Sequence, residues 1–108
     1  MKPALLALAV GLAAANIRAG EAQVNYPDRD TVIEKLGLES HVEGGYFKRT
    51  FQADHRGKID QGGGPRFTMT SIYYLLTADS PVGHWHLNQS DIIHYYHLGD
   101  PVHYYMIH

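Results

Sequence analysis

The chain has no cysteine, which excludes a disulfide framework and leaves packing and hydrogen bonds to hold a small domain together. It has no excess of basic residues either: 9 Lys and Arg stand against 11 Asp and Glu, a formal charge of −2. With no cationic stripe or cluster, nucleic acid is excluded as a partner and no segment is suited to an anionic membrane surface. The longest apolar run, Ala4 to Ala15, falls short of the about 20 residues that span a bilayer, so no permanent membrane anchor is expected. The glycine run Gly62-Gly63-Gly64 lacks the Gly-Lys-Ser/Thr and the following helix that a phosphate-binding loop needs. What is present, 108 residues with 44% hydrophobic and 19% charged side chains, fits one globular domain.

The amino terminus has the composition of a targeting segment. Met1-Lys2-Pro3 and the apolar run that follows have the charged start, apolar centre and small-residue end of a secretory signal peptide. It is read as residues 1–19, with cleavage zones at Ala13-x-Ala15 and up to Ala19. Loss of Lys2 and Arg18 takes the formal charge from −2 to −4. The protein is therefore expected to be secreted or to enter the secretory pathway; Arg18 and the lack of acids before Glu21 keep an organelle transit peptide as the alternative.

Residues 20–30, with Asn25, Pro27 and Asp28, read as a linker. Thr31-Val32-Ile33-Glu34 fits a capping box with Thr31 as N-cap, and Gly37 a left-handed stop, so a helix of one or two turns burying Val32, Ile33 and Leu36 is expected. Gly44-Gly45 lets the backbone turn or approach a neighbour closely, and a strand follows over Tyr46 to Phe51. Ala53 to Phe67 holds too many breakers for a regular element. Met69 to Thr77 is the clearest strand by composition, and Val102 to His108 begins another.

Between those strands, Gly83 to Pro101 concentrates four histidines and a carboxylate. In an extended run successive side chains alternate faces, so His84 and His86 are expected on one side and Trp85 on the other. After the turn-prone Asn88-Gln89-Ser90-Asp91, Ile92 to His97 alternates like a strand, and a hairpin would bring one of its faces over His84 and His86. His84, His86 and Asp91 form a candidate metal set, since neutral imidazole and carboxylate are common ligands. Tyr- and His-rich strands equally occur as ordinary half-buried sheet surface, with imidazoles bonded to backbone or water.

His84-x-His86, a carboxylate shortly after, then Gly99-Asp100-Pro101 resembles the first motif of the cupin superfamily, the small jelly-roll barrels. H-V-E-G-G-Y-F-K-R-T-F from His41 to Phe51 and T-S-I-Y-Y-L-L from Thr70 to Leu76 resemble an uncharacterised branch of that superfamily. The resemblance covers about residues 31–108 and implies an all-β, double-stranded β-helix preceded by a short helix. About five strands are visible where a jelly roll has eight, so the domain is expected to be incomplete at its C-terminal side. Two departures stand out. The motif's usual glutamate falls on Ile92, with Asp91 one position early, and a Trp-His pair of the branch is replaced by His94-Tyr95. An adjacent strand position faces the other way unless a bulge at Ser90-Asp91 re-aims the aspartate.

Cupins include epimerases, dioxygenases, metal-dependent isomerases and non-catalytic binding proteins, so the resemblance bounds function loosely. The expected ligand is a small polar molecule, sugar-like or nucleotide-sugar-like, held by His86, Tyr73, His97 and Arg66, with isomerase or epimerase-type proton transfer. A metal-dependent enzyme using a divalent ion at His84 and His86, and a non-catalytic secreted binding protein, are the alternatives. Open strand edges and exposed apolar faces favour association, a homodimer included.

Overall fold

The computed structural model describes the backbone of residues 5–11 and residues 24–107 in full. The leader reading of residues 1–19, with its cleavage zones, lies outside these except for Leu5–Gly11, whose backbone runs as strand β1. Helix α1 (Arg29–Leu36) follows, then β2 (Glu39–Ser40), β3 (Tyr46–Gln52), β4 (Thr70–Leu75), β5 (Val82–Asn88) and β6 (Val102–Ile107). Among the described residues, six strands and one short helix bear out the all-β expectation. Among the described residues no helix is long and apolar enough to cross a membrane.

The helix starts three residues earlier than its capping box suggests. Asp28, in extended conformation, is the N-cap; its carboxylate accepts from the Thr31 amide at 2.9 Å and from the Thr31 hydroxyl at 2.6 Å. A carboxylate at that point satisfies an otherwise unpaired amide of the first turn, and Thr31 supplies both donors instead of the cap. Gly37 ends the helix as expected, at φ 61°, with its amide donating to Glu34 O and the Leu38 amide to Ile33 O. Positive φ costs glycine nothing. The turn folds Leu38 into the small core, while Val32 and Ile33 are only half-buried and Leu36 is exposed.

The strands form two three-stranded antiparallel sheets, in the orders β2-β3-β4 and β5-β1-β6. In the first, Phe47 lies opposite Tyr74 and Lys48 opposite Tyr73, and an extra residue at Thr50 shifts the register before Phe51 meets Ser71. In the second, β1 takes hydrogen bonds from both neighbours, Ala7 lying opposite His86 on one side and Met106 on the other. Both sheets are open, each with two free edges among the described residues. Among the residues whose burial is described, Leu38 and Ala53 are the buried apolar ones, and a radius of gyration of 16.4 Å exceeds the about 13 Å of a compact domain this size.

Two expectations need correction. Ile92 to His97 is not a strand: residues 91–97 form no ladder, and the antiparallel partner of β5 is β1. Alternation makes a strand only where a neighbour accepts its backbone hydrogen bonds, and here none does. The segment between β3 and β4 is a loop as expected, but Ile59 and Arg66 exchange two backbone bonds and close a small hairpin around the glycines.

A polar cluster fastens α1 to the first sheet. Arg29 donates to the Tyr46 hydroxyl at 2.8 Å and lies 3.1 Å from Asp79. The Tyr46 and Thr77 hydroxyls each donate to one oxygen of Asp79 at 2.8 Å. Hydrogen bonds from Thr77 and then Tyr46, with the Arg29 charge, hold the Asp79 carboxyl below its ordinary range.

Candidate functional site

The site is built where the β2–β3 loop crosses the start of β5. His41 leaves β2, and Gly44 and Gly45 take φ of 94° and 70°, which folds the loop back on itself. The His41 amide donates to Gly45 O and the Gly44 amide to His41 O. The loop is then clamped from outside. The His84 amide donates to Glu43 O, the Gly45 amide to the Ser80 hydroxyl at 2.8 Å, and the Tyr74 hydroxyl to Gly44 O at 2.7 Å. Gly44 lies so close to β5 that a Cβ there would collide with the Val82 carbonyl. The expectation of close backbone approach at the glycine pair is met.

This clamp places three titratable side chains together. His86 Nδ1 donates to His84 O at 2.8 Å and lies 3.4 Å from Glu43 Oε2. A carbonyl only accepts, so the hydrogen of neutral His86 sits on Nδ1 and Nε2 carries the lone pair. His41 has the opposite arrangement. Its Nδ1 accepts from the Glu43 amide at 3.1 Å, which leaves the hydrogen on Nε2. The 3.9 Å separation between His41 Nδ1 and Glu43 Oε2 is longer than the contact to the Glu43 amide. Phe47 and Tyr74 hold that imidazole edge-on, with ring centroids 4.7 and 5.9 Å away. His41 and His86 keep 23% and 26% side-chain exposure, enough for a ligand to reach them.

Tyr74 and Tyr104 complete the neighbourhood as protonated phenols. Burial, then the Glu43 carboxylate, then Tyr104 push the Tyr74 hydroxyl up, and burial pushes Tyr104 up. The Tyr104 hydroxyl is hydrogen-bonded to His94 Nδ1 at 2.7 Å, its ring meeting the imidazole edge-to-face.

The residues expected from the sequence are distributed differently. His86 is central, but Tyr73 lies on the opposite face of β4 from Tyr74 and meets His97 edge-to-face at 5.8 Å. Arg66 is exposed and donates to Gln89 at 2.8 Å. His84 is exposed; the register between β5 and β1 slips opposite His84-Trp85, so strict alternation does not carry His84 and His86 to one ligand. Asp91 and Ile92 are exposed in the irregular segment, with no bulged strand to aim either inward. Among the described residues no group of three His, Cys, Asp or Glu side chains could hold a metal ion. The donor set thus does not fit a divalent ion at His84, His86 and Asp91. His41 and Glu43 were missed as site residues. Their signal was available: a histidine and an acid two apart, directly before a glycine pair.

Comparison with known proteins agrees with this architecture. Residues 30–108 match the model of a family described as Cupin superfamily (DUF985). The chain is also similar to the uncharacterized protein YML079W of Saccharomyces cerevisiae, at 41% identity over 89 residues covering 70% of this chain and 44% of the yeast protein. It therefore spans less than half the length of that relative. No solved structure matches. With nearly all of α1 to β6 inside the matched region, the chain belongs to the DUF985 family of the cupin superfamily.

Proposed function

We propose that the domain binds a small polar molecule, sugar-like or nucleotide-sugar-like, on the face of His41, Glu43, Tyr74 and His86, and that His86 Nε2 acts as proton acceptor in isomerase or epimerase-type chemistry. The observation that supports it is the bond from His86 Nδ1 to His84 O, with the Glu43 carboxylate 3.4 Å away. A hydrogen held on Nδ1 leaves Nε2 basic, and the nearby carboxylate stabilises the imidazolium once a proton arrives. Such a reaction moves a proton within the bound molecule and needs no oxidant, so it suits a site made of imidazole, carboxylate and phenol. The alternative of a metal-dependent enzyme has weaker support, because no group of three His, Cys, Asp or Glu side chains comes together among the described residues.

Incubating the complete chain with reducing sugars in deuterated water tests the reading. Deuterium should enter the sugar next to its carbonyl, and His86→Gln should abolish the exchange. Binding without exchange would leave the non-catalytic binding protein as the function. Secretory entry is a separate proposal, supported by the composition of residues 1–19, and cleavage there would remove β1 from between β5 and β6. The mass of the exported protein should lack the residues up to Ala15 or Ala19; an intact chain retained in the cell would overturn it.

A further inference from the structure

We infer, on the secretory reading above, that Asn88 is a modification site, the acceptor of an N-linked oligosaccharide in the secretory lumen. Asn88-Gln89-Ser90 has the asparagine, the hydroxyl two residues on and a middle residue other than proline that such acceptors need. The other asparagines do not qualify: Arg18 stands two residues after Asn16, and Pro27 two residues after Asn25. A secreted chain therefore offers this modification a single position.

The fold puts the triplet where a bulky group can be attached. β5 runs from Val82 to Asn88, and the chain then bends out of the sheet at Gln89 and Ser90, both exposed. Asp91 to His97 continue exposed and outside any ladder, so the chain following the triplet is not packed into a sheet. Asn88 itself is half-buried, and its partner across the sheet is Leu5 of β1. Leu5 belongs to the leader, so cleavage leaves this end of β5 without its neighbour on the β1 side. Within the triplet, Gln89 is tied down: its side-chain oxygen accepts from Arg66 at 2.8 Å. The acceptor pattern leaves the middle residue open, so this bond takes nothing from the two side chains on which acceptance depends.

The step is a group transfer. Its co-reactant is an oligosaccharide held through its anomeric carbon by a lipid diphosphate. A bond forms between the Asn88 side-chain nitrogen and that carbon while the carbon–oxygen bond to the diphosphate breaks. The lipid diphosphate leaves with the electron pair, the amide nitrogen gives up one proton to the surrounding water, and nothing is oxidised or reduced. In a compartment without that donor and its transferase the same side chain stays an ordinary amide, so the glycan also reports where the chain has been.

The complete chain is translated with eukaryotic microsomes, once as it is and once with an established secretory leader placed ahead of Met1. Chains shielded from added protease are those that have reached the lumen. Shielded chains should migrate more slowly than after treatment with an N-glycosidase, and mass spectrometry should map the sugar to Asn88. Asn88→Gln and Ser90→Ala should each lose the shift completely, whereas Ser90→Thr, which keeps the hydroxyl, should retain it. The mapping is made on the unaltered residues and does not depend on how any variant folds. A bare Asn88 in shielded chains of either kind would overturn the glycosylation inference, as would a shift that survives Ser90→Ala, and both results would leave the secretory reading untouched. A glycan on Asn88 with the added leader alone, the unaltered chain remaining open to protease, would support the acceptor site and overturn the secretory reading.

Discussion

Two stretches of this chain carry nearly the same chemistry and have different surroundings. The loop from His41 to Gly45, with β5, holds His41, His84 and His86 against a web of backbone donors and acceptors. The stretch from Ile92 to His97 carries two histidines and two tyrosines in an alternating pattern, yet it is exposed throughout, with Tyr95 at 77%. The difference lies in the neighbours. In the first, the orientations of the His41 and His86 imidazoles are set by main-chain atoms. In the second, His94 and His97 meet only the aromatic side chains of Tyr104 and Tyr73 in the contacts described above. Residue type alone does not make a site; a fixed backbone around it does.

That contrast can be broken most directly at its glycines. Gly44 and Gly99 have almost the same torsion, φ 94° and 100°, but a Cβ on Gly44 would strike the Val82 carbonyl whereas one on Gly99 meets nothing within 4 Å. Gly44→Ala is expected to destabilise the chain by at least about 3 kcal/mol, backbone strain and collision together, and Gly99→Ala by about 1–2 kcal/mol from strain alone. Urea unfolding of the two variants checks this, and equal losses would show that the loop is not clamped against β5. Tyrosine hydroxyls give a smaller effect. Tyr74→Phe should cost about 1 kcal/mol through the unpaired Gly44 carbonyl, while Tyr95→Phe should leave the unfolding midpoint unchanged.

The smallest expected effect is a pH dependence. Because the folded Asp79 carboxyl is held below its ordinary range, the native state binds fewer protons there than the unfolded chain. Its contribution is therefore present above the unfolded value of about 3.9 and is lost as pH falls through the lower folded value. Asp79→Asn should flatten the acid side of the stability profile while changing the pH 7 midpoint little, as fits an exposed cluster. An unaltered acid limb in urea midpoints taken from pH 7 to pH 3 would show that the cluster does not act on stability.

Much of this fold was legible. β3, β4, β5 and β6 were read from alternation and composition within a residue or two, and Gly37 and the Gly44-Gly45 pair from the need for positive φ. The rest depended on partners that sequence pattern does not specify. Whether Leu5–Gly11 forms a strand depends on the vacancy between β5 and β6, and whether Ile92 to His97 does depends on an edge that β5 does not offer it. The site was half legible for the same reason. His86 was found through His-x-His, but His41 and Glu43 matter through Nδ1 contacts to the amide of Glu43 and to β5, and those exist only after the loop is folded.

The bond from the Gly45 amide to the Ser80 hydroxyl joins residues 35 apart in sequence. Chain segments that distant meet only after the entropy of closing the intervening loop has been overcome, so contacts of this kind form late and slow the approach to the native state. The local elements, α1 with its Asp28 cap and the hairpin closed by Ile59 and Arg66, have no such delay. The His41–Glu43 loop is therefore expected to acquire its shape after α1 and the Ile59–Arg66 hairpin, and a chain caught partway through folding would already hold helix and hairpin while its imidazoles still pointed at random.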